Sequence, residues 1–75
     1  MPDSIKKILG EVIRNLRLEA GMSQEQLAAA SGINRAYLGT IERGGKAITV
    51  ETVERIASGL NIKMSTIFER MESLR

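Results

Sequence analysis

The chain has neither cysteine nor histidine. Those two absences remove disulfides, thiolate nucleophiles, most zinc sites and the imidazole that serves so often as a general base. A reducing compartment suits a cysteine-free chain, and the cytoplasm is the expected location. No apolar run approaches the roughly 20 residues a membrane helix needs, and the N-terminus lacks the apolar core of a secretory signal. Catalysis would have to rest on scattered carboxylates, lysines and hydroxyls. None of these is spaced as an acid–base or nucleophile–base pair. An enzyme is therefore not expected, nor is a cofactor, a metal site or a small-molecule ligand.

What remains is a chain of 75 residues with a net charge of +2, read as one small domain over residues 1–75. Domains of this size bury a low fraction of their surface, and association with a second copy is a common source of added stability. The positive excess is uneven. Residues 1–46 hold seven basic side chains against five acidic, and residues 47–75 hold four of each. That skew leans towards a polyanionic partner, although an ordinary solvated surface scatters charge in much the same way.

The pattern predicts an all-α chain of five short helices. Between Ser4 and Ala20, Ile5, Ile8, Leu9, Val12, Ile13 and Leu16 recur in steps of three and four and make one helical face. Lys6, Lys7, Glu11, Arg14 and Arg17 fall off it, and Gly21 supplies a stop. "SQEQ", Ser23 to Gln26, reads as a capping box opening a second helix, with Leu27, Ala28 and either Ala30 or Ser31 inward and Gly32 at its end. Asn34 is a good cap for a third helix running to about Arg43, which Gly44 and Gly45 terminate. Thr49 caps a fourth, with Val50, Val53, Ile56, Ala57 and Leu60 inward, ending near Gly59. Ser65 caps a fifth, whose apolar stripe is Ile67, Phe68, Met71 and Leu74.

Two short helices joined by a tight glycine-containing turn form a helix-turn-helix pattern. Its geometry asks for a small residue where the helices touch, supplied by Ala28, and a turn-permitting residue, supplied by Gly32. Ile33, Leu38 and Ile41 then anchor the second of the pair. With Leu38 and Ile41 turned inward, Arg35, Ala36, Gly39, Thr40 and Arg43 share the opposite side.

"MSQEQLAAASGINRAYLGTIERG", Met22 to Gly44, resembles the helix-turn-helix of phage repressor and Cro-type regulators. Most of the chain fits that family's five-helix domain, including the closing "GLNIKMSTIFE". "NRAYLGTIERG" with a basic residue, Lys46, soon after looks most like the small controller proteins of restriction–modification systems, and the length is similar to theirs. The resemblance implies a transcriptional regulator that binds double-stranded DNA as a homodimer, with helix three in the major groove.

On that basis Arg35, Ala36, Gly39 and Thr40 become the base-reading candidates. Arg35 suits bidentate contact with guanine, and a positive charge at a helix N-terminus otherwise opposes the helix dipole. Ala36 suits a thymine methyl, although helix propensity explains it nearly as well. Thr40 suits a base edge or a phosphate. Gly39 would let the helix backbone approach DNA closely, unless it is merely tolerated on a solvated face. Ser23 and Gln24, at the start of helix two, and Tyr37, Arg43 and Lys46 are the phosphate-binding candidates. Partial core packing is the other reading of Tyr37. Arg14 and Arg17 are weaker candidates, solvated or paired with Glu11 or Glu42. Ile62, Met64, Ile67, Phe68 and Met71 are either all intramolecular core or, as favoured here, shared between the core and a dimer seam, and Glu25 is nominated to contact RNA polymerase, although its charge at a helix N-terminus is explanation enough for the residue alone. An antitoxin or phage-type repressor uses the same scaffold. A helical protein-interaction module without DNA is the alternative of a different class.

Overall fold

In the computed structural model, which describes residues 4–74, the chain folds into five helices around one core: α1 (Ile5–Glu19), α2 (Gln24–Ser31), α3 (Arg35–Glu42), α4 (Val50–Leu60) and α5 (Met64–Leu74). Four of them start at the residue whose side chain can accept a main-chain N–H. Ser4, Ser23, Asn34 and Thr49 each cap the N–H three residues on. At Ser23 the box is complete. Its hydroxyl accepts from the Gln26 N–H at 3.1 Å, and the Gln26 amide oxygen accepts from the Ser23 N–H at 2.8 Å. Gly32 closes α2 at φ +71°, a left-handed conformation that costs glycine little.

The core is built from one stripe of each helix: Ile8, Val12, Ile13 and Leu16 of α1, Leu27 and Ala28 of α2, Leu38 and Ile41 of α3, Val53, Ile56, Ala57 and Leu60 of α4, and Ile67 and Met71 of α5. Leu38 and Ile41 are fully enclosed. Burying side chains of that size stabilises by about 1.5–3 kcal/mol each, enough to pin an eight-residue helix that would be unstable alone.

Several expectations change. Ile5 and Val50 are 53% and 67% exposed rather than inward, because both lie in the first turn of their helices, beyond the edge of the core. Ser31, not Ala30, is the inward residue at the end of α2. Gly59 does not stop α4. The helix runs through it to Leu60, and Asn61 takes the left-handed position at φ 59°. Gly59 is instead a crossing point, since a Cβ there would run into the Ser31 hydroxyl and lie 3.1 Å from the Ser31 main-chain nitrogen. Nor does Ser65 cap α5, because the helix begins one residue earlier at Met64 and leaves Ser65 within its first turn.

A second close crossing sets the position of α3. Gly10, buried in the middle of α1, faces the last turn of α3, where a Cβ would lie 2.8 Å from the Glu42 carbonyl oxygen and closer still to that of Ile41. The main chain of α1 thus rests directly on the C-terminal end of α3. Gly44, at φ +75°, extends the contact, its Cα seated against Lys7.

Candidate nucleic-acid interface

The surface formed by α2 and α3 is organised by a buried ion pair that the sequence does not advertise. Arg17 of α1 and Glu42 of α3 are 25 positions apart, and their side chains are 9% and 2% exposed. Arg17 Nε donates to Glu42 Oε2 at 2.7 Å and Nη2 donates to Oε1 at 3.0 Å, a two-point match of guanidinium to carboxylate. Its Nη1 donates to the Met22 carbonyl at 2.9 Å. One side chain therefore ties α1, the turn before α2 and the end of α3 together. Arg17 consequently lies inward, paired with Glu42, and is not available to phosphate. Donating to Glu42 raises the Arg17 pKa above the ordinary arginine value, against the opposing effect of burial.

Glu42 also accepts from Gln24 Nε2 at 3.0 Å, and Gln24 Oε1 accepts from Arg35 Nη1 at 3.3 Å. The side chains at the starts of α2 and α3 are thereby linked. Arg35 is exposed at the first position of α3. Beside it, Ala36 is exposed and bare of other contacts that would hide its methyl group.

Gly39 proves to be covered. An added Cβ would lie 3.3 Å from Arg43 Nη1 and 3.8 Å from both polar atoms of the Gln24 amide, so two side chains roof the helix at this point. In the free protein the Gln24 amide lies over α3 at ordinary contact distance from this position. Thr40 is half-buried and its hydroxyl is engaged. It donates to the Ala36 carbonyl at 3.1 Å and accepts from Arg43 Nη2 at 3.3 Å, so what it can offer a ligand without rearranging is a remaining acceptor site.

The backbone-binding candidates surround this centre. Within the capping box, Ser23 N–H and Gln26 N–H are already satisfied, which leaves the main-chain N–H groups of Gln24 and Glu25 as free donors at the start of α2. Glu25 itself is exposed. Tyr37 is half-buried against the core, and the Lys46 ammonium stands 5.5 Å from its ring centroid, within cation–π range. The packing reading of Tyr37 is thus realised on one side of its ring, with a cation on the other. Arg43 and Lys46 are exposed beyond the end of α3.

Of the seam residues expected from the sequence, Ile67 and Met71 lie inside the core. Packed among the helices of their own chain, they have little surface to give a second copy. Ile62 and Met64 are half-buried, and Phe68 is 43% exposed. Phe68 shares an apolar cleft with Ile5, Leu9, Ile48 and Val50.

Sequence reasoning missed Gly10 and the Gly59 crossing, whereas the pairing of Arg17 with Glu42 was one of its alternatives and is the one the structure shows. A glycine in the middle of a strongly periodic helix was a usable signal for Gly10. The burial of that pair had no signal, because nothing local connects residues 25 positions apart.

Residues 13–67 match the helix-turn-helix family. The chain is 38% identical to control protein C.SmaI of Serratia marcescens, over 93% of this chain and 90% of that one. It is 30% identical to control protein C.BamHI of Bacillus amyloliquefaciens, over 92% and 86% respectively. The crystal structure of the wild-type restriction–modification controller protein C.Esp1396I superposes with a TM-score of 0.88 at 33% identity, covering 96% of this chain and 92% of that one.

Proposed function

The chain belongs to the helix-turn-helix family, and from that premise we propose that it is a sequence-specific DNA-binding transcriptional regulator acting as a homodimer on paired operator half-sites. Its likeness to two control proteins and to a restriction–modification controller protein supports a controller that regulates restriction–modification genes, its own among them.

The observation that carries the reading is the exposed guanidinium of Arg35 at the first position of α3, beside the free main-chain N–H groups at the start of α2. A helix entering the major groove by its N-terminal end presents such a side chain to guanine O6 and N7. Ala36 and the spare acceptor of Thr40 flank it. Gln24 and Glu25 N–H, Arg43, Lys46 and Tyr37 would grip the phosphates on either side and so fix register without reading sequence. Two copies with their third helices about 34 Å apart would span one helical turn. The seam would centre on Phe68, with Met64 one turn before it, Ile62 nearby, and Ile5 and Val50 bordering the same cleft. Glu25, exposed on α2, is the residue we assign to a polymerase contact in activation.

Salt titration of operator binding by the wild type, Arg35→Ala and Lys46→Ala tests the division of labour. For each phosphate neutralised, the slope of log K against log salt is about −0.9. Lys46→Ala should flatten that slope by about one unit for each half-site and weaken all sequences alike. Arg35→Ala should instead remove base preference at one position per half-site and leave most of the slope. Equal affinity of the Arg35→Ala and wild-type proteins for every sequence would sink the assignment.

A further inference from the structure

We propose that the groove between α1 and the C-terminal end of α3, with Lys7 and Arg14 on its α1 wall, is a second grip on the DNA backbone. It would hold phosphates beyond those assigned to the surface of α2 and α3. The inference rests on the reading of that surface as the DNA interface and extends it to a helix otherwise assigned to the core.

Lys7, Glu11 and Arg14 recur at steps of four and three, so they share one face of α1, and all three are exposed. That face is one wall of a groove of about 270 Å³, with Glu42 and Arg43 on the opposite wall. Two observations fix the charge of the groove. Glu42 accepts two bonds from Arg17 and one from Gln24, so its charge is matched within the protein. The ion pairs among the described residues are Arg17–Glu42 and Glu19–Arg70, which leaves Lys7, Arg14 and Arg43 without a carboxylate partner. Three unpaired cations thus face the single carboxylate of Glu11, and a concave surface of one net sign concentrates the opposite charge.

The position of the groove supplies the partner. A Cβ at Gly44 would lie 2.8 Å from Lys7 Cα, so the start of α1 rests on the turn that follows α3. Lys7 is thereby held close to Arg43, which lines the groove and belongs to the proposed phosphate contacts as well. Groove and interface form one continuous surface. Lys7 and Arg14 lie seven residues apart, about 10 Å along the helix. A small anion could meet only one of them at a time. A DNA strand carries one charge for about every 3.4 Å of its axis, so a backbone following α1 would give each cation its own phosphate.

The experiment titrates salt against binding of the operator enriched from random duplex DNA. The proteins are the wild type, Lys7→Gln, Arg14→Gln, the double variant and Glu11→Gln, with folding checked by urea midpoint. Lys7→Gln keeps the Cβ and Cγ that rest on Gly44. Each cation lost should flatten the slope of log K against log salt by about two units, roughly one for each half-site, with base discrimination unchanged. Glu11→Gln should tighten binding several-fold at low salt, an effect that fades as salt is raised. Operators with a neutral methylphosphonate at one backbone position locate the contact. Two positions in each half-site should weaken the wild type and leave the double variant indifferent.

Slopes equal to that of the wild type in both single variants would overturn the inference. So would a Glu11→Gln protein that binds no more tightly at low salt. Unchanged operator binding by the double variant, with activation by purified RNA polymerase lost, would assign the groove to a protein and overturn it too. If the wild type enriches no operator, the DNA reading itself fails. That failure is seen before any groove variant is tested.

Discussion

Gly10→Ala isolates the contact that aims the proposed recognition helix. The added methyl would stand 2.8 Å from the Glu42 carbonyl oxygen, 3.0 Å from its carbon and closer still to the Ile41 oxygen, where ordinary van der Waals contact begins at 3.4 Å. All three obstacles are main-chain atoms of α3, so no side-chain rotation relieves them. Forcing a methyl group into such a junction costs typically about 1–3 kcal/mol. Alanine returns about 0.5–1 kcal/mol of helix propensity. The net expectation is a loss of about 1–2 kcal/mol, out of a total of about 4–11 kcal/mol for a chain of this length. With roughly 4–8 °C per kcal/mol for small domains, Tm should fall by about 5–15 °C. Far-UV circular dichroism during thermal and urea unfolding measures it, with both proteins at the same concentration because dimerisation makes Tm concentration-dependent. Operator affinity should fall as well, because α3 can only move away from α1 by tilting Arg35. A variant as stable as the wild type, or more stable, would refute the close crossing of α1 on α3.

Gly39→Ala should behave in the opposite way. Its Cβ meets only the mobile end of Arg43 at 3.3 Å, so stability should be unchanged or rise by about 0.5–1 kcal/mol. Operator affinity should fall by about tenfold if the helix backbone approaches DNA at this point, and gel-shift titration reads the difference. Glu42→Ala should cost about 3–5 kcal/mol, because it leaves the Arg17 charge buried without its partner. The joint replacement Arg17→Met with Glu42→Leu should recover most of that loss in urea unfolding. The exposed Glu19–Arg70 pair, joined by two bonds of 2.8 Å, predicts a pH signature. The Arg70 hydrogen bonds hold the Glu19 carboxyl below its ordinary value, against a weaker desolvation effect. A folded pKa below the unfolded one stabilises at pH above the usual carboxylate range and is lost as pH falls through the folded value. The difference in urea midpoint between wild type and Glu19→Gln should therefore be small at neutral pH, shrink with added salt, and vanish in strong acid. A difference that persisted in strong acid would contradict the pairing.

The elements most legible in the sequence were those set by local chemistry. The N-caps Ser23, Asn34 and Thr49, the capping box at Ser23 and the left-handed Gly32 each depend on residues within three or four positions, and the structure has them where the pattern asked for them, while the cap expected at Ser65 is absent. Helical periodicity likewise gave most of the core. It failed at Ile5 and Val50, because a stripe can run past the end of what it packs against. At Ile67 and Met71 it marked the buried stripe of α5 but could not say whether that face is covered by its own chain or by another. Glycine was ambiguous for the same reason. Gly59 read as a stop and is a crossing point, while Gly39 read as a bare surface and carries the Gln24 amide. The network from Arg17 through Glu42 and Gln24 to Arg35 was out of reach, since its members come from three helices and only folding brings them together.

Selection of bound sequences from random duplex DNA tests the central claim most directly. A sequence-specific homodimer should enrich a two-fold symmetric site whose half-sites lie one helical turn apart, with guanine at the position that Arg35→Ala relaxes. Failure to enrich any sequence, with weak binding indifferent to Arg35→Ala, would contradict the account and point to a protein partner for the surface of α2 and α3.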